Sequence, residues 1–488
     1  MTVIKKKNEV YLKVTTEPHV HKELSEHFMF DVPGAKYMPA YQKFKWDGKI
    51  RLYSPGTGEI YAGLFDYVAD FLEKKGYEYT IEESEEYGKP TDTESIISPE
   101  AVTGYVRTLG LPFKPRDYQL RAIYQALRYN RKVLLSPTGS GKSLIIYAIV
   151  RWHLDGWYRN CLIIVPTVSL VEQMHKDFKT YGWDSDDVHK ITAGSEKYVN
   201  HSVVISTWQS IYKEPRKFFK RFSVIIGDEA HLYKAKSISG ILKKCHDAKY
   251  RIGLTGTLDG MESHQLVLEG LFGRVNKVTK TVELMKKGHL TPLKVCVLLL
   301  KHGFVPFDDY QQEMDYLVSH PKRNNLIINL ASDLRGNTLI LFNYIEKHGD
   351  PLWDLLNSKV KDNRKIFYIH GGVDAMEREE ARLICEKEKD AIILASYGTF
   401  STGINIRNLH NVIFASPSKS RVRNLQSIGR VLRKGENKSQ ATLYDIADDI
   451  STDKGHNYTL RHLYERFKIY KEENFQFEIN EVHLKSND

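Results

Sequence analysis

Val133-Leu134-Leu135-Ser136-Pro137-Thr138-Gly139-Ser140-Gly141-Lys142-Ser143 is the stretch whose reading decides the fold. Its apolar start suits a buried parallel strand, and Leu144 to Val150 continue as an apolar helix. Gly139 and Gly141 let successive amides turn inward toward an anion, and the helix N-terminus adds its positive dipole end. The spacing meets G-x-x-x-x-G-K-[ST] except at its first position, where the compact Ser136 replaces glycine. Lys142 is expected on the β- and γ-phosphates and Ser143 on Mg²⁺, with Pro137, Thr138, Gly139, Ser140 and Gly141 forming the cradle. ATP and Mg²⁺ are the cofactors implied.

Working outward, apolar strands alternate with amphipathic helices from Ser98 to about Glu283. The predicted strands are Val133–Leu135, Cys161–Val165, Val203–Ser206, Val224–Gly227 and Arg251–Leu254. Such alternation specifies a parallel sheet with helices on both faces. Ligands then gather at the carboxyl ends of the strands, where Ser136, Pro166, Thr207, Asp228 and Thr255 fall. A second alternating block follows from about Leu290, with strands at Thr338–Phe342, Ile366–Ile369, Ala391–Ser396, Asn411–Ala415 and Thr442–Asp445. It carries no second Gly-Lys-Ser loop.

Residues 1–80 read as a small α+β unit. Phe44 to Tyr53 suggests a hairpin turning at Asp47-Gly48, with Lys43, Lys45, Lys49 and Arg51 alternating against Phe44, Trp46, Ile50 and Leu52. One face would then be cationic. That pattern fits a duplex-backbone contact surface and fits equally a solvated face over a core. Glu82 to Glu94 is acidic and broken by Gly88 and Pro90, as a linker would be. The expected division is therefore 1–95, a small α+β domain with its linker; 96–285 and 286–455, two tandem α/β units; and 456–488, a helical tail.

The chain has 488 residues, 41% hydrophobic and 27% charged, with 71 Lys and Arg against 61 acids and a net charge of +10. The basic excess suits a polyanionic partner without identifying one. Four scattered cysteines offer no C-x-x-C spacing, so neither a zinc site nor a disulfide framework is implied. Lys5-Lys6-Lys7 has no apolar run behind it, and no stretch approaches the ~20 apolar residues of a membrane span. A cytoplasmic protein is expected.

Val224-Ile225-Ile226-Gly227-Asp228-Glu229-Ala230-His231 is an apolar strand delivering two acids at its tip. Asp228 is placed to orient Mg²⁺ and Glu229 to polarise an attacking water, a pairing that phosphoryl hydrolysis requires.

With these residues in view, the chain from Arg116 to Arg433 resembles the superfamily-two helicases of the DExH type. Within them it is most similar to phage recombination helicases, whose broader relatives are XPB-like and RecG-like enzymes. The resemblance implies two RecA-like domains. It also implies that Arg116 and Gln119 read adenine, and that Thr167, Thr207 and Gln209 grip a strand. His231, Thr255 and Thr257 would couple hydrolysis to strand movement. Ser396 to Asn405 is similar to motif five, which implies Thr399 on the nucleic acid and Gly403 toward the nucleotide. Gln426-Ser427-Ile428-Gly429-Arg430-Val431-Leu432-Arg433 is similar to motif six, which implies that Gln426, Arg430 and Arg433 reach the γ-phosphate when the two domains close.

The activity so implied is ATP-dependent unwinding or translocation on branched, forked or four-way DNA, or on RNA–DNA hybrids, by a monomer. Recombination, repair and replication are the implied processes. An RNA helicase stays open, since such motors mainly grip backbone, as does an ATP-switched binding protein or duplex translocase without strand separation.

Overall fold

The computed structural model describes residues 1–82, 97–183, 187–303, 305–360, 364–403, 406–435, 438–451 and 455–484. Most of the acidic segment expected as a linker lies outside them.

Thr2–Lys6 (β1) and Tyr11–Thr15 (β2) open the chain. Leu12 and Val14 are buried while Lys13 and Thr15 are exposed, the period of a strand with one wet face. Met29–Asp31 (β3) and Lys49–Arg51 (β4) form a two-stranded antiparallel ribbon, with Phe30 opposite Ile50. Glu59–Tyr61 (β5) and Tyr79–Glu82 (β6) complete a four-stranded sheet in the order β5-β2-β1-β6. Helices Pro18–His27 and Phe65–Lys75 bury Val20, Leu24, Val68 and Leu72 in the adjoining core.

Arg131–Leu135 (β7), Cys161–Val165 (β8), Val188–Ile191 (β9), Val203–Thr207 (β10), Val224–Gly227 (β11), Tyr250–Thr255 (β12) and Val275–Lys277 (β13) follow. They form a seven-stranded parallel sheet, ordered β13-β7-β12-β11-β8-β10-β9. β8, β10, β11 and β12 are buried along their whole length, as strands covered on both faces must be. The N-terminal sheet shares one hydrophobic core with this sheet, Ile4, Leu12 and Phe65 belonging to the same cluster as Val133, Leu162 and Phe272.

The junction between them is close. A Cβ on Gly63 would run into the backbone carbonyls of Glu269 and Gly270, and the Tyr67 hydroxyl donates to Glu269 Oε2 at 2.5 Å. Arg131, at the start of β7, donates to the Glu9 carbonyl at 2.6 Å. Arg251, in β12, donates to the same carbonyl at 2.9 Å. One N-terminal residue thus ties down the ends of two strands whose other ends reach the phosphate loop and Thr255.

A second seven-stranded parallel sheet comprises Leu293–Lys301 (β14), Thr338–Phe342 (β15), Ile366–Ile369 (β16), Ile392–Ser396 (β17), Asn411–Phe414 (β18), Ala441–Asp449 (β19) and Gln476–His483 (β20). Its order is β16-β17-β15-β18-β19-β14-β20. Beneath it, Arg323 donates to Asp448 at 2.9 and 3.0 Å, and His302 lies 2.9 Å from the same carboxylate, all three side chains being buried. Two compact units result: Met1–Ser136 with Gly141–Val278, and Pro137–Ser140 with Thr279–Asp488. The architecture is α/β, two tandem RecA-like parallel-sheet domains preceded by a small α+β region.

Two expectations are corrected. Phe44 to Tyr53 is not a hairpin: β4 pairs with β3, and Lys43 and Lys45 lie in the turn after the short helix Pro39–Gln42. The reason is that Phe30 faces Ile50 across the ribbon, a cross-strand pair that Phe44 does not replace. The 456–488 segment is not helical throughout. After helix Tyr458–Glu472, Gln476–His483 joins β14 in parallel. Among the described residues no helix is long and apolar enough to cross a membrane.

Candidate nucleotide and nucleic-acid sites

β7 runs into Ser136, whose amide donates to the Thr255 carbonyl at 2.8 Å and so pins the loop to the end of β12. Gly139 and Gly141 have φ of 82° and 81°, left-handed values that a side chain disfavours. Gly141 is doubly required, because a Cβ there would strike Gln119 Nε2. Helix Lys142–Trp157 begins at once, and the first amides to find helical carbonyls are those of Leu144 and Ile145, both on Gly141 O. Earlier amides of a helix start are left for a ligand, which fits a phosphate.

Asp228 and Glu229 emerge from β11 beside this loop. Glu229 has φ of 48° and its amide donates to Asp228 Oδ1 at 2.9 Å. Lys142 Nζ lies 3.9 Å from Glu229 Oε1. Burial first, then the Glu229 charge, pushes the Asp228 carboxyl up to about 6, against the pull of Lys142. A buried acid so disfavoured as an anion is suited to a divalent cation, and the Ser143 hydroxyl, 2.9 Å from the Tyr181 hydroxyl, is the second expected ligand.

His231 carries the arrangement further. Its Nδ1 is 3.4 Å from Glu229 Oε2 and 2.9 Å from Thr255 Oγ1. The Thr255 hydroxyl donates to the Thr257 carbonyl at 2.9 Å, so it accepts from His231, which assigns the proton to Nδ1. The Thr257 hydroxyl is buried without a hydrogen-bond partner among the described residues. Lys142, Glu229, His231, Thr255 and Thr257 therefore form one chain of contacts across the ends of β7, β11 and β12.

Arg116 precedes helix Asp117–Arg128 and its amide donates to Gln119 Oε1 at 2.9 Å, while its guanidinium donates to the Tyr118 hydroxyl at 2.9 Å. Gln119 thus lies against the phosphate loop at Gly141. Thr167 caps helix Val168–Thr180, its Oγ1 accepting from the Leu170 amide at 3.4 Å. Thr207 is buried, its hydroxyl 2.8 Å from that of Ser210, and Gln209 is exposed with its amide on the Pro166 carbonyl at 3.2 Å.

In the second unit, Thr399 is buried and accepts from the Ser396 hydroxyl at 2.9 Å. Gly403 ends helix Tyr397–Gly403; Ile404 and Asn405 lie outside the described residues. Gln426 and Arg430 are on helix Arg421–Val431, with Arg433 just beyond, all half-buried. The four-residue spacing of Gln426 and Arg430 puts these two on one helix face. The Arg430 guanidinium sits over the Phe400 ring at 5.5 Å, which ties motif six to motif five.

The four N-terminal cations are not alike. Arg51 is ion-paired with Asp47, whose carboxyl it holds at about 2, and Lys49 Nζ lies 3.9 Å from Asp31. Lys43 and Lys45 are exposed and have no carboxylate partner among the described residues. A single cationic face is therefore absent.

Two contributors escaped the sequence reading. Tyr181 meets Ser143 across 38 positions, for which no local signal exists. Arg423 donates to Asn343 Oδ1 at 3.0 Å from the face that carries Gln426, and its three-residue offset was the available signal.

Known proteins resemble this chain over most of its length. Residues 112–260 match the family described as Type III restriction enzyme, res subunit, residues 322–435 the helicase conserved C-terminal domain, and residues 3–82 DNA helicase UvsW, N-terminal. The chain is 32% identical over 501 residues to the ATP-dependent DNA helicase uvsW of Enterobacteria phage T4, over 97% of this chain and 98% of that protein. A crystal structure of T4 UvsW aligns with 99% of this chain and 100% of its own, at 29% identity and a TM-score of 0.52. The DNA 3'-5' translocase XPB2 of Sulfurisphaera tokodaii is 26% identical, over 68% of this chain and 81% of its own length.

Proposed function

The chain belongs to the UvsW family of superfamily-two helicases, and from that premise we propose that this ATP-hydrolysing DNA helicase works on branched DNA. Its substrates are forks, four-way junctions and RNA–DNA hybrids, and its roles are in recombination, repair and replication. The observation that supports this reading best is the core shared between the N-terminal sheet and the ATP-binding sheet. Whatever the N-terminal region holds moves as one body with the domain that binds ATP.

In turnover, Lys142 and the amides at the start of its helix hold the phosphates, while Gln119 and Arg116 hold the base. Ser143 and Asp228 would hold Mg²⁺, which would supply neutralisation of the phosphate charge. Glu229 orients the attacking water and takes up its proton. His231 passes the resulting change in charge at Glu229 to Thr255 and Thr257, and from there to the strand held by Thr167, Thr207, Gln209 and Thr399. Arg430, on the same helix face as Gln426, and Arg433, just beyond that helix, stabilise the departing γ-phosphoryl charge. One chain carries all these parts, which supports action as a monomer, and the phage relative supports the host-cell cytoplasm as its location.

The test is ATP turnover with single-stranded, duplex, forked and four-way DNA, and with matched RNA forks, using Lys142→Ala as the blank. Forked and four-way DNA are expected to stimulate most and to be remodelled. Equal stimulation by every DNA, or stronger stimulation by RNA forks, would count against the branched-DNA reading.

A further inference from the structure

The turn between β3 and β4 carries large apolar side chains that face water. Phe44 is 96% exposed, more than any other large apolar side chain among the described residues, and Tyr37 is 73% exposed. Met38 and Tyr41 are exposed beside them in sequence. Phe44 has φ of 54°, a left-handed conformation that a bulky side chain adopts only when its surroundings impose it.

The imposition is visible. The Phe44 amide donates to Tyr41 O and the Lys45 amide to Ala40 O, both at 2.9 Å. Val32 N donates to Gly48 O at 2.8 Å and closes the turn, and the Trp46 indole donates to Lys49 O at 2.8 Å. A Cβ on Gly48 would meet the Tyr41 ring at 3.1 Å, so Tyr41 is the wall against which the turn folds. The result is a compact, internally bonded knob with an aromatic ring at its tip.

Charge distinguishes this knob from a chance apolar patch. The two acids near it, Asp31 and Asp47, are matched by Lys49 and Arg51. Lys36, Lys43 and Lys45 have no carboxylate partner among the described residues, and Lys36 Nζ sits 5.0 Å from the Tyr37 ring centroid. A water-facing aromatic ring flanked by uncompensated cations matches a nucleotide, whose base offers a π-face and whose backbone offers phosphates.

We propose that residues 34–46 form a base-stacking site, in which Phe44 stacks on an unpaired base at a DNA junction while Lys36, Lys43 and Lys45 meet the flanking phosphates. The site rests on the branched-DNA reading and gives it a strand-separating element. Stacking does not depend on base identity, so junction structure rather than sequence is what the knob recognises. A fully paired duplex offers the lysines their phosphates but no free base to the ring.

The experiment uses the full chain without ATP. Binding is measured to a forked DNA carrying 2-aminopurine at the first unpaired position and to a fully paired duplex. Phe44→Gly removes the ring and suits the left-handed backbone, so its melting temperature is expected at or above that of the parent. It is expected to weaken fork binding about tenfold and to abolish the 2-aminopurine change, with Phe44→Trp restoring both. Replacing Lys36, Lys43 and Lys45 by Gln is expected to flatten the log–log salt dependence by about three units on fork and duplex alike.

Fork affinity, fluorescence and salt slope unchanged in these variants overturn the site. So does an equal loss by Phe44→Gly on fork and duplex, which places the ring on backbone rather than on a base. Parent ATP turnover that no DNA stimulates overturns the helicase reading instead, and the ATP-free readouts still decide the knob.

Discussion

Glu229 is held in a left-handed backbone conformation by its own neighbour, the Asp228 carboxylate accepting its amide. Strain of this kind persists where the surroundings over-determine it, and here it aims the acid back at Lys142 and His231. Glu229→Gln keeps the shape and removes the charge that accepts a proton. Hydrolysis is expected to fall by about two orders of magnitude or more, with ATP binding retained. Single-turnover hydrolysis alongside nucleotide titration checks this. Lost binding with a normal chemical step would make Glu229 a ligand rather than the base. The Asp-Glu-Ala-His run was legible in the sequence because its residues are contiguous. The His231 tautomer was not, because it depends on Thr255, 24 positions away.

Among the elements, helix Arg421–Val431 has the clearest division of labour. Its residues Leu425, Ile428 and Val431 are buried, while Arg423, Gln426 and Arg430 recur on a half-buried face, with Arg433 just beyond the helix. Arg430→Ala and Arg433→Ala are each expected to lower kcat by about 10³ while changing ATP affinity little, since an arginine finger acts chiefly in the transition state. A loss confined to affinity would remove both residues from that role. The ribbon β3–β4 teaches the opposite lesson. Alternation of Lys43, Lys45, Lys49 and Arg51 looked like one strand face, but only the last two are on a strand, and both meet carboxylates.

At the scale of the molecule, the N-terminal region is part of the first unit's interior. Removing residues 1–82 would strip Tyr61, Gly63 and Tyr67 from Glu269 and Gly270 and take Glu9 from Arg131 and Arg251. The truncated chain is expected to lose DNA-stimulated ATP turnover through instability, seen as a lowered melting temperature or aggregation. A stable truncation with full single-strand-stimulated turnover would show the shared core to be dispensable. Acid tests both units together. Burial pushes His153 in the first unit and His348 in the second down to about 3, from an ordinary 6.5. Both stay neutral when folded, whereas the unfolded chain takes up their protons below 6.5. Stability is therefore full above that pH and falls toward about 3, at most by about 1.4 kcal/mol per pH unit for each group. Urea midpoints between pH 7 and pH 4 measure it, and His153→Gln with His348→Gln should flatten the slope. A flat profile in the parent would sink the assignment.

The sequence by itself determined the two parallel sheets, the phosphate loop and the acids at the tip of β11. Each is written in contiguous residues: Cys161–Val165, Val224–Gly227 and residues 339–342 are apolar throughout because both faces are covered. Tertiary structure alone decided the sheet margins and the fate of the surface charges. Val188–Ile191, Val275–Lys277 and Gln476–His483 lie at sheet edges, short or half-polar, and are recognisable as strands only through the neighbours they pair with. Whether a lysine is matched, as Lys49 is by Asp31, or left facing water, as Lys43 is, depends on where distant chain returns, and local spacing carries no record of that.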